Sequence, residues 1–245
     1  MDATALQVLF VIFVATLIRS AFGFGEALIA VPLLALCIPL EIAAPLAVLV
    51  SITVAGVVVI HDWRKIHVRS ARWLVLSTLF GIPLGLILLT SGHQRAVKTA
   101  LAIIIMAFSA YFLIGRRPPE LRSDNRIWLL GCGFCAGILG GAYGMNGPPL
   151  VVYGAMRRWS AQHFRATLQG YFLPASIIGM GGYWLAGLWV SRVTHYYLLS
   201  LPVMVPAILL GRVVNQRLRG EAFIRYVYLG LAGAGAMLFI QSISR

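Results

Sequence analysis

RSAFGFGEALIAVPLL, residues Arg19 to Leu34, sets an arginine, two glycines and a glutamate inside an otherwise apolar run. Glycine weakens a helix, and a charge placed in hydrocarbon is costly and marks a pathway or a site. The fold turns on whether this run is one flawed helix or two half-helices meeting at a break.

Composition decides the solvent. The chain has 245 residues, 60% hydrophobic and 11% charged, with a mean hydropathy of +0.89. A soluble domain carries about 25% charged residues, so this chain has too few polar side chains to cover a water-facing surface. It reads as a multi-pass integral membrane protein, almost all of it membrane domain. The net charge of +13 would suggest nucleic acid in a soluble protein. The basic residues instead occupy short connections between apolar runs, and none forms a stripe that could follow a phosphate backbone. Nucleic acid is therefore not an expected partner. The opening MDATALQVLF lacks the basic region of a signal peptide and reads as the start of a retained helix.

A membrane helix needs about 20 apolar residues. The run from Ala3 to Leu40 is too long for one span and is interrupted at FGFGE, so it divides into Ala3–Ile18 and Ala27–Ile38. Spans are then expected at Ile42–Ile60, Trp73–Leu89 and Ala96–Ile114. GRRPPELRSDNR is the one polar, proline-bearing linker and marks the midpoint. The second part repeats the plan: Ile127–Ala142, a break at YGMNGPP, a short Leu150–Met156, then Thr167–Leu188, Tyr196–Leu210 and Phe223–Ile240. AFGFGEALIAVP aligns with AYGMNGPPLVVY, and AAPLAVLVSITVAG lies on RATLQGYFLPASIIG at nearly the same offset. A duplication follows, with a first repeat at 1–115, a linker at 116–126 and a second repeat at 127–245. A period above about 100 residues excludes a solenoid.

Lys and Arg counts orient the repeats. HDWRKIHVRSAR, the midpoint linker, RRWSAQHFR and the stretch Arg212–Arg225 hold fifteen basic residues, against four in the remaining connections and the C-terminal end. The rich loops belong inside, which puts the N-terminus outside. The first broken pair then opens and closes on the outer side and the second on the inner side, so the repeats are inverted. The expected fold is all-α and polytopic. Each of its two inverted repeats is a broken or re-entrant helix pair plus three transmembrane helices.

Interrupted helices in inverted repeats are a transporter layout with its site near the midplane. A break exposes backbone N–H groups at the positive end of the second segment, and such donors favour an anion. NGPP suits a helix start, with Asn or Gly capping and Pro in the first turn. The substrate-binding candidates are Arg19, Gly23 and Gly25 at the first break, Gly144, Asn146 and Gly147 at the second, and Gln169 in the helix that follows it. Glu26 is the candidate for proton coupling, and Arg19 and Glu26 could equally form a structural ion pair. Ser51 and Thr53 are weaker candidates, since a hydroxyl can satisfy itself on its own helix. The series Gly133, Gly137, Gly140, Gly141, Gly144 reads as a packing face. The five histidines lie in loops or at helix ends without ligand spacing, so neither a metal nor a cofactor is expected. The CGFC motif, Cys132 to Cys135, lies within an apolar helix rather than at a helix N-terminus, which favours a structural role.

The paired breaks, the basic loop after the second long helix, and GGAYGMNGPPL with RWSAQHFRATLQGYFL together resemble the sulfite exporter TauE/SafE family of membrane permeases. The resemblance covers nearly the whole chain. It implies transport of small sulfur-containing or organic anions such as sulfite, sulfonates and sulfoacetate. The chain departs from that family's pattern at Asn146 and Pro148–Pro149, where a glycine run is usual, and at Glu26, where glycine is common. The expected partners are a small anion and the bilayer of a bacterial inner membrane, with a proton or other ion for coupling; a homo-oligomer is allowed. The competing readings are a membrane thiol-redox carrier using Cys132 and Cys135, and a scaffold without flux.

Overall fold

The computed structural model describes residues 3–34, 36–90, 120–121, 125–143, 146–185 and 187–217, with isolated positions between 99 and 110 and between 226 and 240. The regular elements of these stretches are helices joined by short turns: α1 (Ala3–Phe22), α2 (Glu26–Leu34), α3 (Leu40–Asp62), a 3-10 turn at Trp63–Lys65, α4 (Val68–Thr90), α5 (Arg126–Tyr143), α6 (Gly147–Met156), α7 (Ala161–Leu185) and α8 (Ser191–Arg217). Both interruptions expected from the sequence are present, at Gly23–Gly25 and just before Gly147. The expected spans Ala96–Ile114 and Phe223–Ile240 lie outside the continuously described residues, and so does Gly144.

Among the described residues, three helices are long and apolar enough to cross a membrane: Ala3–Phe22, Glu41–Lys65 and Ser191–Arg217. α7, at 25 residues, is long enough but less apolar. α7 buries Thr167 and Gln169 inside the protein, and a helix that turns polar groups inward need not be apolar all round. Most helices run past the apolar windows that predict them. α8 extends from Ser191 to Arg217, beyond the expected Tyr196–Leu210 at both ends. The apolar window reports hydrocarbon thickness, whereas the helix continues into the charged interface.

The chain forms two compact units, Met1–Val75 with Ala161–Arg217, and Leu76–Ser160 with Leu218–Arg245. In the first unit, one apolar core joins Val8, Ile12 and Ala15 of α1 to Leu34 of α2, Leu46, Val50 and Val54 of α3, and Met204 and Ile208 of α8. α1 meets α8 most closely at Gly211, where an added Cβ would lie 2.7 Å from the Leu17 carbonyl oxygen and 3.0 Å from the Ala21 nitrogen. The first unit thus takes elements from both sides of the midpoint linker.

In the second unit, α4 and α5 touch backbone to backbone. A Cβ added at Gly137 would come within 2.9 Å of the Gly81 Cα, and the Thr78 hydroxyl donates to the Gly133 carbonyl at 2.9 Å. At Gly137 the small-residue face is a packing contact, as its spacing predicts. α6 ends in a turn through Arg158, which adopts φ 49°. The linker residue Leu121 is tied to that end. Its N–H donates to the Met156 carbonyl at 3.0 Å, and Arg157 Nη1 donates to its carbonyl at 2.6 Å.

Candidate functional site

α1 stops because Gly23 and Gly25 take left-handed backbone, φ +88° and +96°, a region that glycine enters without the usual steric cost. The Gly23 N–H closes the last turn on the Arg19 carbonyl at 2.6 Å. Gly23 is also a close approach, since an added Cβ would lie 2.8 Å from the Arg165 Cα; Gly25 has space and needs only the dihedral. Phe24 between them is buried and meets Phe164 edge-on at 6.4 Å. Glu26 then opens α2.

Three other helices of the first unit converge on Arg19 of α1, which is 4% exposed. Its Nε and Nη2 both donate to Gln169 Oε1 on α7, at 3.0 and 2.8 Å. Nη1 donates to Glu26 Oε2 on α2 and, at 2.6 Å, to the Ser51 hydroxyl on α3. Nη2 also donates to the Ser51 carbonyl at 3.3 Å. The guanidinium carbon stands 4.9 Å from the centre of the Phe172 ring, a cation–π distance. Gln169 returns its amide N–H to the Gly23 carbonyl at 3.0 Å, tying α7 to the break itself. Of the sequence-predicted residues, Arg19, Gly23, Glu26 and Gln169 therefore form one connected set, with Gly25 adjacent in the chain.

A guanidinium has five N–H donors, and the five bonds above use all of them. Arg19 is therefore fully engaged, and its pairing with Glu26 is the ion pair that the sequence left open beside an anion contact. The Glu26 carboxylate is the negatively charged partner of Arg19 among the described residues. One Glu26 oxygen, Oε1, is buried and has no hydrogen-bond partner among the described residues.

Ser51, weighed against satisfying itself on its own helix, instead binds Arg19 and shares a 2.9 Å hydrogen bond with Ser176. Thr53 does satisfy itself on its own helix, donating to the Leu49 carbonyl at 3.1 Å, and also meets the Tyr197 hydroxyl at 2.7 Å. Ser176 and Phe172 are site neighbours that sequence reasoning missed. A serine or phenylalanine within a membrane helix carries no signal by itself.

A second polar layer supports the break. Asn215 Nδ2 on α8 donates to the Ala21 carbonyl at 2.7 Å and the Ala161 carbonyl at 3.3 Å. Arg165, one turn before Gln169, faces Asp62 at 3.6 Å, and Asp62 accepts from Lys65 at 3.1 Å. The His67 N–H donates to the Thr167 hydroxyl at 3.0 Å. The basic loop after α3 is thereby fastened to the start of α7.

At the second break, Asn146 holds the cap position before α6 with φ −83° and ψ −1°, but its side chain makes no capping bond. Gly140 gives it room, since an added Cβ there would lie 3.4 Å from the Asn146 Cβ. Gly147 and Pro148 form the first turn of α6, as NGPP predicts. Cys132 and Cys135 are both free, the first buried and the second exposed. They lie on successive turns in the interior of α5, away from the helix start that would activate a thiol.

Long apolar helices, an interrupted pair and a buried arginine–carboxylate pair at the break are features of membrane transport proteins. A family model described as sulfite exporter TauE/SafE matches residues 8–238, and the chain belongs to that family. It is accordingly a multi-pass membrane transporter of sulfite and related organosulfur anions, and not an enzyme. No curated protein and no solved structure matches it.

Proposed function

We propose that the chain moves one small anion, such as sulfite, a sulfonate, sulfoacetate or a related organic anion, by alternating access between two inverted repeats, 1–115 and 127–245. In this reading each helix break supplies an anion contact near the middle of the bilayer. The first comprises Arg19, Gly23, Gly25 and Gln169; the second comprises Gly144, Asn146 and Gly147. Glu26 links transport to protons. The single observation that supports this most is Arg19, a buried arginine held by side chains of three other helices beside an interrupted backbone. A buried pair adds little stability over an apolar replacement of similar shape, so its presence argues for use.

Uptake of labelled sulfite and sulfonates into proteoliposomes tests the reading. Arg19→Gln should abolish uptake while the protein still purifies as a folded species. Asn146→Ala removes one donor and should weaken binding by about 1–3 kcal/mol, the range for hydrogen bonds to charged groups. Asn146→Asp should lose more, since it turns a carboxylate toward the anion, and the loss should shrink at low pH. Undiminished uptake by Arg19→Gln would remove the first contact, and wild-type binding by Asn146→Asp at all pH values would remove the second.

A further inference from the structure

Arg19 presents no unused donor, so an anion can reach it only by replacing one of its present acceptors. The Ser51 carbonyl is part of α3 and cannot leave, and the Ser51 hydroxyl is neutral and already shared with Ser176. Gln169 is neutral and fully buried, and its loss would also release the Gly23 carbonyl. Glu26 is the one acceptor that carries a negative charge. It also stands at the first position of α2, where the helix dipole adds to the Arg19 charge. The place is therefore built to hold one unit of negative charge.

We propose that the transported anion and the Glu26 carboxylate compete for the same donors of Arg19, and that Glu26 takes up one proton from water as the anion displaces it. This rests on the reading of Arg19 as the anion contact. The balance closes in charge. Before exchange the cluster holds Arg19⁺ and Glu26⁻; afterwards it holds Arg19⁺, the anion and a neutral Glu26. An ionised carboxylate left unpaired at 2% exposure would carry its full desolvation cost, and protonation removes that cost.

The unpartnered Oε1 is the atom positioned to receive the proton. The half-buried Ser51 and Ser176 hydroxyls are the least enclosed members of the cluster, and so mark the side of entry. Among the described residues Arg19 is the charged group that pairs with Glu26, while Arg165 of α7, packed against Gly23, faces Asp62 instead. Arg19 is the only charged residue of α1. α3 carries its charged and titratable groups at its ends, Glu41, His61 and Asp62. From α7 the cluster receives the neutral Gln169 and Ser176.

Methanesulfonate is the suitable probe, because it stays a monoanion at every pH near neutrality whereas sulfite itself changes charge there. Binding to the purified full chain in nanodiscs is measured by calorimetry between pH 5.5 and 8. Where Glu26 is ionised in the free protein and protonated in the complex, Kd should rise about tenfold per pH unit, the slope for one linked proton. Runs in buffers of different ionisation enthalpy should report one proton taken up per anion. Glu26→Gln removes the competing charge, so its Kd should be flat with pH and, at pH 8, lower than that of wild type.

That gain separates competition from a structural pair, which predicts weaker binding by Glu26→Gln at every pH. A flat wild-type Kd, or no proton uptake, overturns the competition while leaving the anion contact standing. If Glu26→Gln fails to fold, the wild-type proton count still decides the question. Methanesulfonate binding that persists in Arg19→Gln, or no binding at any pH, overturns the anion contact itself and the competition with it.

Discussion

Gln169 reads out how tightly the Arg19 set is coupled. One oxygen accepts two guanidinium N–H groups while the amide nitrogen serves the Gly23 carbonyl. Gln169→Leu keeps most of the volume and removes all three bonds. Each buried polar group left unpaired costs about 1–3 kcal/mol, so thermal unfolding in detergent should fall by several degrees, and an unchanged midpoint would mean the set is loosely held. Much of this set could be read from the chain. Arg19, Glu26 and Gln169 stand out because polar side chains are rare in their apolar surroundings, and Gly23 and Gly25 because they interrupt a helix. Their mutual choice could not be read. Arg19 and Gln169 are 150 positions apart, and periodicity along one segment says nothing about which distant segment it will face. The saturation of Arg19, which changes the mechanism, depends on that pairing and on Ser51.

α5 offers two glycines with opposite expectations. At Gly131 an added Cβ meets nothing within 4 Å, whereas at Gly137 it runs into α4 at Thr78 and Gly81. Gly131→Ala restricts the backbone and should raise stability by about 0.5–1 kcal/mol, the usual difference between the two residues within a helix. Gly137→Ala must push two backbones apart and should lower the unfolding midpoint; equal effects at the two positions would contradict the α4–α5 packing. The spacing of small residues correctly marks a packing face here, but it cannot say which partner that face meets. Breaks are the most readable feature at this level, because the same glycines that lower helix propensity also permit φ +88° and +96°. Helix ends are the least readable. Once an apolar core has offset the nucleation cost, a helix propagates beyond its apolar window into residues such as Arg217 and Gln162.

Topology is where charge counting and contacts in the first unit bear on each other. The Asp62–Arg165 pair and the His67–Thr167 bond hold the loop after α3 and the start of α7 at one end of that unit. α7 then runs for 25 residues, about 37 Å at 1.5 Å per residue, enough to cross the roughly 30 Å of hydrocarbon. The turn before α8 should therefore face the opposite side from the loop at Trp63–Lys65. The basic residues say which side is which, with the loop inside and the turn outside. Single cysteines at Arg64, Gln162 and Arg192, all exposed, test this in a background where Cys37, Cys132 and Cys135 are replaced by serine. An impermeant thiol reagent added to right-side-out vesicles should label Arg192→Cys, and should label Arg64→Cys and Gln162→Cys only after lysis. Labelling of Arg64→Cys and Arg192→Cys from the same face would mean that α7 does not cross, and the inverted arrangement would fall with it. The cysteine-free background is itself a test of mechanism. With both CGFC thiols gone it should still transport, and loss of activity there would favour electron transfer through Cys132 and Cys135 over anion movement through Arg19.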